Sequence, residues 1–295
     1  MRVTNRDLYY QLVRDIGNVS EKMLDLNKQL SSAKRINKPS EDPVGMASVL
    51  VTRTELNAFD QFSKSIVNGR GWLNSTDAIL QEMDNLLARA SELATSQSSD
   101  TATADTRTGT AEEVHELYEQ ILGLANSKYG NKYMFGGTIT QTAPFEDVSG
   151  VVQYNGNDDT FSIKIGKTDT VQISLPGSEV FTNPSGNIFT TLSNLEQALR
   201  NNDQTAIRAS LTDIEDASQV IYNNLASVGA RENRLDYTET RLGTAKTDTT
   251  ERLSETEDLD YAEAILYLQN QQVIYQATLK SASMITSMSL MNYIS

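Results

Sequence analysis

Cysteine is absent from the 295 residues, which removes disulfides, thiolate nucleophiles and cysteine-held metals in one step. Histidine occurs once, at position 115. The run His115-Glu116-Leu117-Tyr118-Glu119 begins like a zinc-protease helix but places Glu where a second His must stand, so His115 reads as a surface residue. Basic residues are few: 25 Lys and Arg face 39 Asp and Glu, for a net charge of -14. Neither a basic patch nor a general field for phosphate is present, so nucleic acid is not an expected partner. A run of about 20 predominantly apolar residues, as a membrane span needs, is also missing, and membrane insertion is not expected. Met1 to Leu12 carries charges without a continuous apolar stretch, so no cleavable secretory signal is visible. Proline is confined to positions 39, 43, 144, 176 and 184, which leaves Val44–Ala143 and Ser185–Ser295 free of helix breakers.

What fills those spaces is heptad-like. From Tyr9 the apolar residues run Leu12, Ile16, Val19, Met23, Leu26, Leu30 and Ala33, with the three-and-four spacing of a coiled-coil seam. Residues 35–43 (Arg35, Ile36, Asn37, Lys38, Pro39, Ser40, Glu41, Asp42, Pro43) form a linker that its prolines should hold extended. A long helix is expected from about Val44 to Ser96, with Leu73, Leu80, Met83, Leu87, Ala90 and Ala94 on one face. At about 1.5 Å per residue it would be on the order of 75 Å long. After a polar loop from Ser96 to Gly109, Thr110 and Glu113 make a candidate capping box for a helix carrying Val114, Leu117, Ile121, Leu124 and Ala125.

The character changes between Tyr129 and Ser185, where eight of the sixteen glycines fall between 130 and 186. Short alternating runs at Val151–Tyr154, Phe161–Ile165 and Val171–Leu175 predict a small antiparallel β insert. Asn155-Gly156-Asn157-Asp158-Asp159 and Gly166-Lys167-Thr168-Asp169 are the candidate hairpin turns. The first of these is rich in carboxylates but lacks the alternating ligands and closing Glu of a calcium loop. Helix returns with Leu192, Leu195 and Leu199. A second very long helix follows from about Gln204 to Leu253, on Ile207, Leu211, Ile214, Ile221, Leu225, Val228, Leu235 and Leu242. Asp258-Leu259-Asp260 supplies a break and an N-cap.

The last helix differs from the others. Between Gln269 and Ser295 only Lys280 is charged, and two stripes can be traced: Ile265, Leu268, Tyr275, Leu279, Ala282, and Ile274, Ala277, Met284, Met288, Met291. A helix with two seams and almost no charge is suited to being surrounded. Paired only with the first helix, it leaves its outer stripes uncovered, so ordering is expected to couple to assembly with neighbouring molecules. The candidate assembly interface is therefore Leu12, Ile16, Val19, Met23, Leu26 and Leu30 with Ile265, Leu268, Tyr275, Leu279, Met284, Met288 and Met291. The candidate linker residues are Arg35, Asn37, Pro39, Asp42 and Pro43. No nucleophile with a base, no glycine-rich phosphate loop and no metal constellation is found, so neither enzymatic chemistry nor a cofactor is expected.

Several segments carry a family likeness. Lys34-Arg35-Ile36-Asn37-Lys38-Pro39-Ser40-Glu41-Asp42-Pro43-Val44-Gly45 resembles the linker of the bacterial flagellin family, in the form found in its hook–filament junction members. Met1-Arg2-Val3-Thr4, Leu124-Ala125-Asn126-Ser127, Tyr133-Met134-Phe135-Gly136-Gly137, Thr142-Ala143-Pro144-Phe145 and Ser289-Leu290-Met291-Asn292-Tyr293-Ile294 resemble further stretches in the same order. The resemblance implies a mainly α, elongated, flagellin-like fold. Its expected parts are an N-terminal coiled-coil helix (1–34), the linker (35–43), two parts of a helical bundle (44–129 and 189–255), a β-rich outer domain (130–188), and a linker with C-terminal coiled-coil helix (256–295). It also implies a secreted structural subunit of the flagellum at the hook–filament junction, exported by the flagellar type III apparatus with an export chaperone. The implied partners are other copies of itself in a ring, a neighbouring hook-associated junction protein and flagellin. A short flagellin that forms the filament itself is the alternative. Its linker usually lacks the prolines found here at 39 and 43.

Overall fold

The computed structural model describes residues 2–148 and 150–294, and the side-chain surroundings of 7, 9–148 and 150–284. It divides into two compact units, Met1–Ala58 with Thr244–Ser295, and Phe59–Gly243. The fold is mainly α with small antiparallel sheets, as the apolar periodicity predicts.

The larger unit is built on two heptad seams. Helix α2 (Pro43–Gln97) buries Ile66, Leu73, Leu80, Leu87 and Ala94, and α6 (Gln204–Glu257) buries Ile207, Ile214, Ile221, Val228, Leu235 and Leu242. Each run steps by seven residues, the period that keeps a stripe facing a partner helix. Both runs belong to one apolar cluster, together with Val114 and Ile121 of α3 (Ala104–Ala125) and Leu192 and Leu199 of α5 (Ile188–Arg200). Outside the seam, Arg70 of α2 reaches Asp236 at 2.6 Å and Glu239 at 2.5 Å on α6.

The start of α3 corrects the expected capping box. Thr103, not Thr110, is the N-cap: its hydroxyl accepts from Thr106 N–H at 3.3 Å, while Thr106 Oγ1 accepts from Thr103 N–H at 3.0 Å. The helix therefore starts two turns early and runs through Gly109. Arg107, 6 % exposed, explains why: its guanidinium donates to Gln97 O at 3.1 Å, to Ser99 O at 3.0 Å and to Asn202 Oδ1, closing the preceding loop. The orphan carbonyl of Gln97, the last residue of α2, is satisfied by that cation.

Among the described residues, the β region consists of four separate two-stranded antiparallel hairpins. They pair β1 (Lys128–Tyr129) with β2 (Lys132–Tyr133), β3 (Phe145–Val148) with β4 (Val151–Tyr154), β5 (Ser162–Lys164) with β6 (Thr170–Gln172), and β7 (Thr182–Asn183) with β8 (Gly186–Asn187). A four-residue helix α4 (Gly177–Val180) precedes β7. Gly166–Asp169 is a hairpin turn as expected, but residues 155–159 are not. The strand before them, β4, pairs backward to β3, so 155–159 crosses between two hairpins. Asn157 anchors the crossing, accepting from Thr138 N–H at 2.7 Å and donating to Thr138 Oγ1 at 2.7 Å. An aromatic cluster lies beneath: Phe181 sits 5.0 Å from both Phe135 and Phe145, and Phe145 is 5.5 Å from Phe189. Gly177 permits that packing, because a Cβ there would lie 2.5 Å from Phe145 Cζ.

The smaller unit holds α1 (Arg2–Ser32), α7 (Tyr261–Ile294), the first turns of α2 and the last turns of α6. α1 and α7 pack against each other. An antiparallel bridge between Lys34 and Asp258 sets the end of one beside the start of the other. Asp260 caps α7 as expected, accepting from Ala262 N–H at 2.9 Å and Glu263 N–H at 3.1 Å.

Candidate assembly interface

Two parts of the smaller unit bear on function: the faces of the terminal helix pair, and the connection that holds the pair. On α1, Leu12, Ile16, Val19, Met23, Leu26 and Leu30 are all half-buried, at steps of three and four along the helix. The complementary stripe on α7 is Ala264, Leu268, Gln271, Tyr275, Thr278 and Ala282, which are buried or half-buried at steps of four and three. Leu268 and Tyr275 thus lie in the seam, whereas Ile265, Leu279 and Met284 stand 45 %, 43 % and 52 % exposed. Met288 and Met291 lie outside the residues whose side-chain surroundings are described. In the single chain one α7 stripe is covered, and it is more polar than the sequence suggests. Gln271 and Thr278 sit where larger apolar neighbours would dominate a simple apolar count, and only three-dimensional pairing with α1 selects them.

The uncovered remainder of α7 carries large apolar side chains among polar ones. Ile265, Leu266, Tyr267, Val273, Ile274, Leu279 and Met284 are exposed, as are Tyr9, Tyr10, Val13 and Leu24 on α1. Burying one such side chain against a neighbour contributes about 1.5–3 kcal/mol. So many exposed large apolar side chains on one helix mark an interaction site rather than a solvated face.

The linker does not hold extended. α1 ends with Ala33 in the left-handed region at φ 60°, and Lys34 N–H reaches back to Gln29 O at 3.3 Å, a Schellman closure made on an alanine. Pro39 then lies in a turn closed by Glu41 N–H on Lys38 O at 3.1 Å. The Glu41 carboxylate accepts from Asn37 N–H at 2.7 Å and Lys38 N–H at 3.1 Å, and the Asn37 bond leads the causes that hold its pKa below the usual 4.5. Asp42 is the N-cap of α2, accepting from Gly45 N–H at 2.8 Å, and Pro43 takes the first helical position, where a missing N–H costs nothing. Arg35 extends across to Thr256 O at 2.7 Å. Local polar bonds override the extended bias of the prolines.

Sequence reasoning missed two residues here. Ile36 is 3 % exposed inside the linker, packed so closely on Gly45 that a Cβ there would lie 2.6 Å from its Cδ1. Glu257, at the end of α6, is 3 % exposed and carries two cations, Lys34 and Arg53. No local pattern separates Glu257 from the surrounding Glu251 and Glu255, because its partners come from more than 200 residues away.

Elsewhere, two open grooves of about 250 and 310 Å³ lie along α5 and α6, lined mainly by Asn, Thr, Ser and Asp. Among the described residues no group of three or more His, Asp or Glu could hold a metal ion, and no helix is long and apolar enough to cross a membrane.

The bacterial flagellin N-terminal helical region matches residues 4–140, and the flagellin C-terminal helical region matches residues 211–294. The chain belongs to the flagellin family. The matched regions supply α1, α2, α3, β1, β2, all of α6 but its first turns, and α7, leaving β3 to β8, α4 and α5 between them. Among flagellin-family relatives, the chain is 24 % identical to flagellar hook-associated protein 3 of Escherichia coli K12, over 98 % of each chain. In fold it is similar to a putative flagellar hook-associated protein of Vibrio parahaemolyticus, with a TM-score of 0.69 and 22 % identity over 74 % of this chain and 100 % of that one. It is also similar to the flagellar junction protein FlgL of Legionella pneumophila, with a TM-score of 0.60 and 17 % identity over 73 % and 100 %.

Proposed function

We propose that this flagellin-family chain is the structural subunit that joins the flagellar hook to the filament. One observation carries the reading beyond the family: α7 is covered along a single stripe, while Ile265, Leu266, Tyr267, Val273, Ile274, Leu279 and Met284 stand exposed, so it has places for further helices. A subunit that must meet two different neighbours needs such a helix. The full-length likeness to hook-associated protein 3 supports the junction over the filament, as does the linker with Pro39 and Pro43. The match to the flagellin terminal regions is what favours the second reading, a short flagellin.

In this reading residues 1–34 and 256–295 form the assembly domain, and residues 35–43 carry it on the helical bundle of 44–129 and 189–255. The β region (130–188) faces outward. Leu12, Ile16, Val19, Met23, Leu26 and Leu30 build the pair with Leu268 and Tyr275. Ile265, Leu279, Met284, Met288 and Met291 supply surface to neighbouring copies, to a second hook-associated protein and to flagellin. The subunit reaches the cell exterior by the flagellar type III route, with a chaperone covering the exposed apolar faces until export. Its role is mechanical and not catalytic.

Deleting the gene tests the assignment. Loss of a junction subunit leaves hooks in place and flagellin shed into the medium. Loss of a sole flagellin leaves bare hooks and nothing shed.

A further inference from the structure

We propose that Glu257 is the pivot of a salt-releasable latch that fixes the angle at which the α1–α7 pair leaves the ends of α2 and α6 within the smaller unit. Three segments converge on its one carboxylate. Lys34 comes from the connection after α1, and Arg53 from the third turn of α2, with Arg53 Nε 3.2 Å from Glu257 Oε2 and a second bond to Oε1. Glu257 itself terminates α6. The same residue closes the backbone: Arg35 N–H donates to Glu257 O at 2.7 Å, and two residues on Leu259 N–H donates to Ala33 O at 3.1 Å. Thus the chain leaving α1 and the chain entering α7 are bonded to each other, and the side chain between them is bonded to α2.

The burial of the three groups is unequal, and that makes the contact a latch. The Glu257 side chain is 4 % exposed, whereas those of Lys34 and Arg53 are 39 % and 43 % exposed. Water and salt reach the cations, so the attraction is screened and the two arms can let go. The carboxylate cannot be left alone, because an unpaired buried charge is strongly unfavourable. Opening therefore moves Glu257 to solvent and breaks the backbone bridge with it, a two-state change rather than gradual loosening. Of the three contacts to the carboxylate, Arg53 makes two and Lys34 one, so loss of the Arg53 fork weakens the latch more than loss of Lys34, and loss of the anion removes it. The inference concerns the chain by itself and does not depend on where the subunit is placed in the flagellum.

The test is native-state hydrogen exchange of the full chain at low and high salt, read at the Arg35 and Leu259 amides. It is paired with a spin-label distance between Asp7→Cys and Ser48→Cys, both exposed sites in a chain with no native cysteine. The two amides should exchange with the same opening constant and lose protection together as salt rises. E257Q should speed both by about tenfold or more, the loss expected for charge-assisted bonds, and should broaden the distance distribution. K34M should have the smaller effect, since Arg53 still holds the carboxylate. If E257Q fails to fold, R53K, which keeps a charge but loses the fork, should show the same coupled change. Independent exchange of the two amides, indifference to salt, or an unchanged distance distribution in E257Q or R53K would overturn the latch.

Discussion

The Tyr118 hydroxyl donates to Asp147 Oδ2 at 2.7 Å, while Asp147 Oδ1 accepts from Gly150 N–H at 2.7 Å. One carboxylate thereby fastens the β3–β4 hairpin to α3 and closes the hairpin's own turn. Removing the phenol as Tyr118→Phe should cost about 1.5–3 kcal/mol, the range for a hydrogen bond to a charged acceptor. A urea titration of the purified chain measures it. Asp147→Asn should cost less, because the amide oxygen can still accept.

The same tyrosine sets an alkaline limit. Burial first, and the Asp147 bond second, raise the Tyr118 pKa well above 10, and burial also raises that of Tyr154. A group whose folded pKa is raised stabilises the fold fully below its unfolded value. That contribution is lost as pH climbs from 10 toward the folded value. Thermal midpoints should therefore hold between pH 8 and 9.5 and fall above about pH 10. In the double variant Tyr118→Phe, Tyr154→Phe the fall should be shallower.

In the linker the sign is opposite. Glu41 has a lowered pKa through its bond from Asn37 N–H, so its contribution is present above 4.5 and lost as pH falls through the lower folded value. Amide exchange at Asn37 and Lys38, after correction for intrinsic pH dependence, should accelerate on acidification below pH 4.5. Glu41→Gln should show faster exchange at neutral pH with little further change.

Gly186 approaches α6 so closely that a Cβ would lie 2.8 Å from both the Cα and N of Ala217. Backbone cannot swing aside as a side chain can. Gly186→Ala should cost at least about 2 kcal/mol through overpacking, whereas Gly229→Ala, inside α6 with nothing within 4 Å, should stabilise by about 0.5–1 kcal/mol. Chemical unfolding of the two variants side by side makes the comparison.

The exposed α7 residues should separate folding from assembly. Leu266→Lys and Val273→Asp replace side chains that are 62 % and 65 % exposed in the single chain. Monomer stability should change by no more than about 0.5 kcal/mol, yet the purified variants should fail to restore filament attachment to cells lacking the gene. Leu268→Lys, in the covered stripe, should lower both.

How far the sequence led can be judged residue by residue. The steps at Leu73, Leu80 and Leu87 and at Ile207, Ile214 and Ile221 reveal α2 and α6 because a buried helix face repeats locally. The Asp260 cap and the Gly166–Asp169 turn were legible for the same reason. The pairing of β4 back to β3 was not, since alternation marks a strand without naming its partner. Arg107 and Glu257 look like solvated charges in sequence, and only distant loops make them buried anchors. The covered stripe of α7 was not legible, because apolar residues fall on several of its faces and Gln271 and Thr278 gain their place from α1.

The junction role is tested most directly by immunogold labelling of intact flagella with antibodies against residues 59–243. A discrete label where the hook meets the filament, and none along the filament, is the expected result. Label distributed along the whole filament would assign the chain to the filament itself, and absence of label from the flagellum would end the structural-subunit reading.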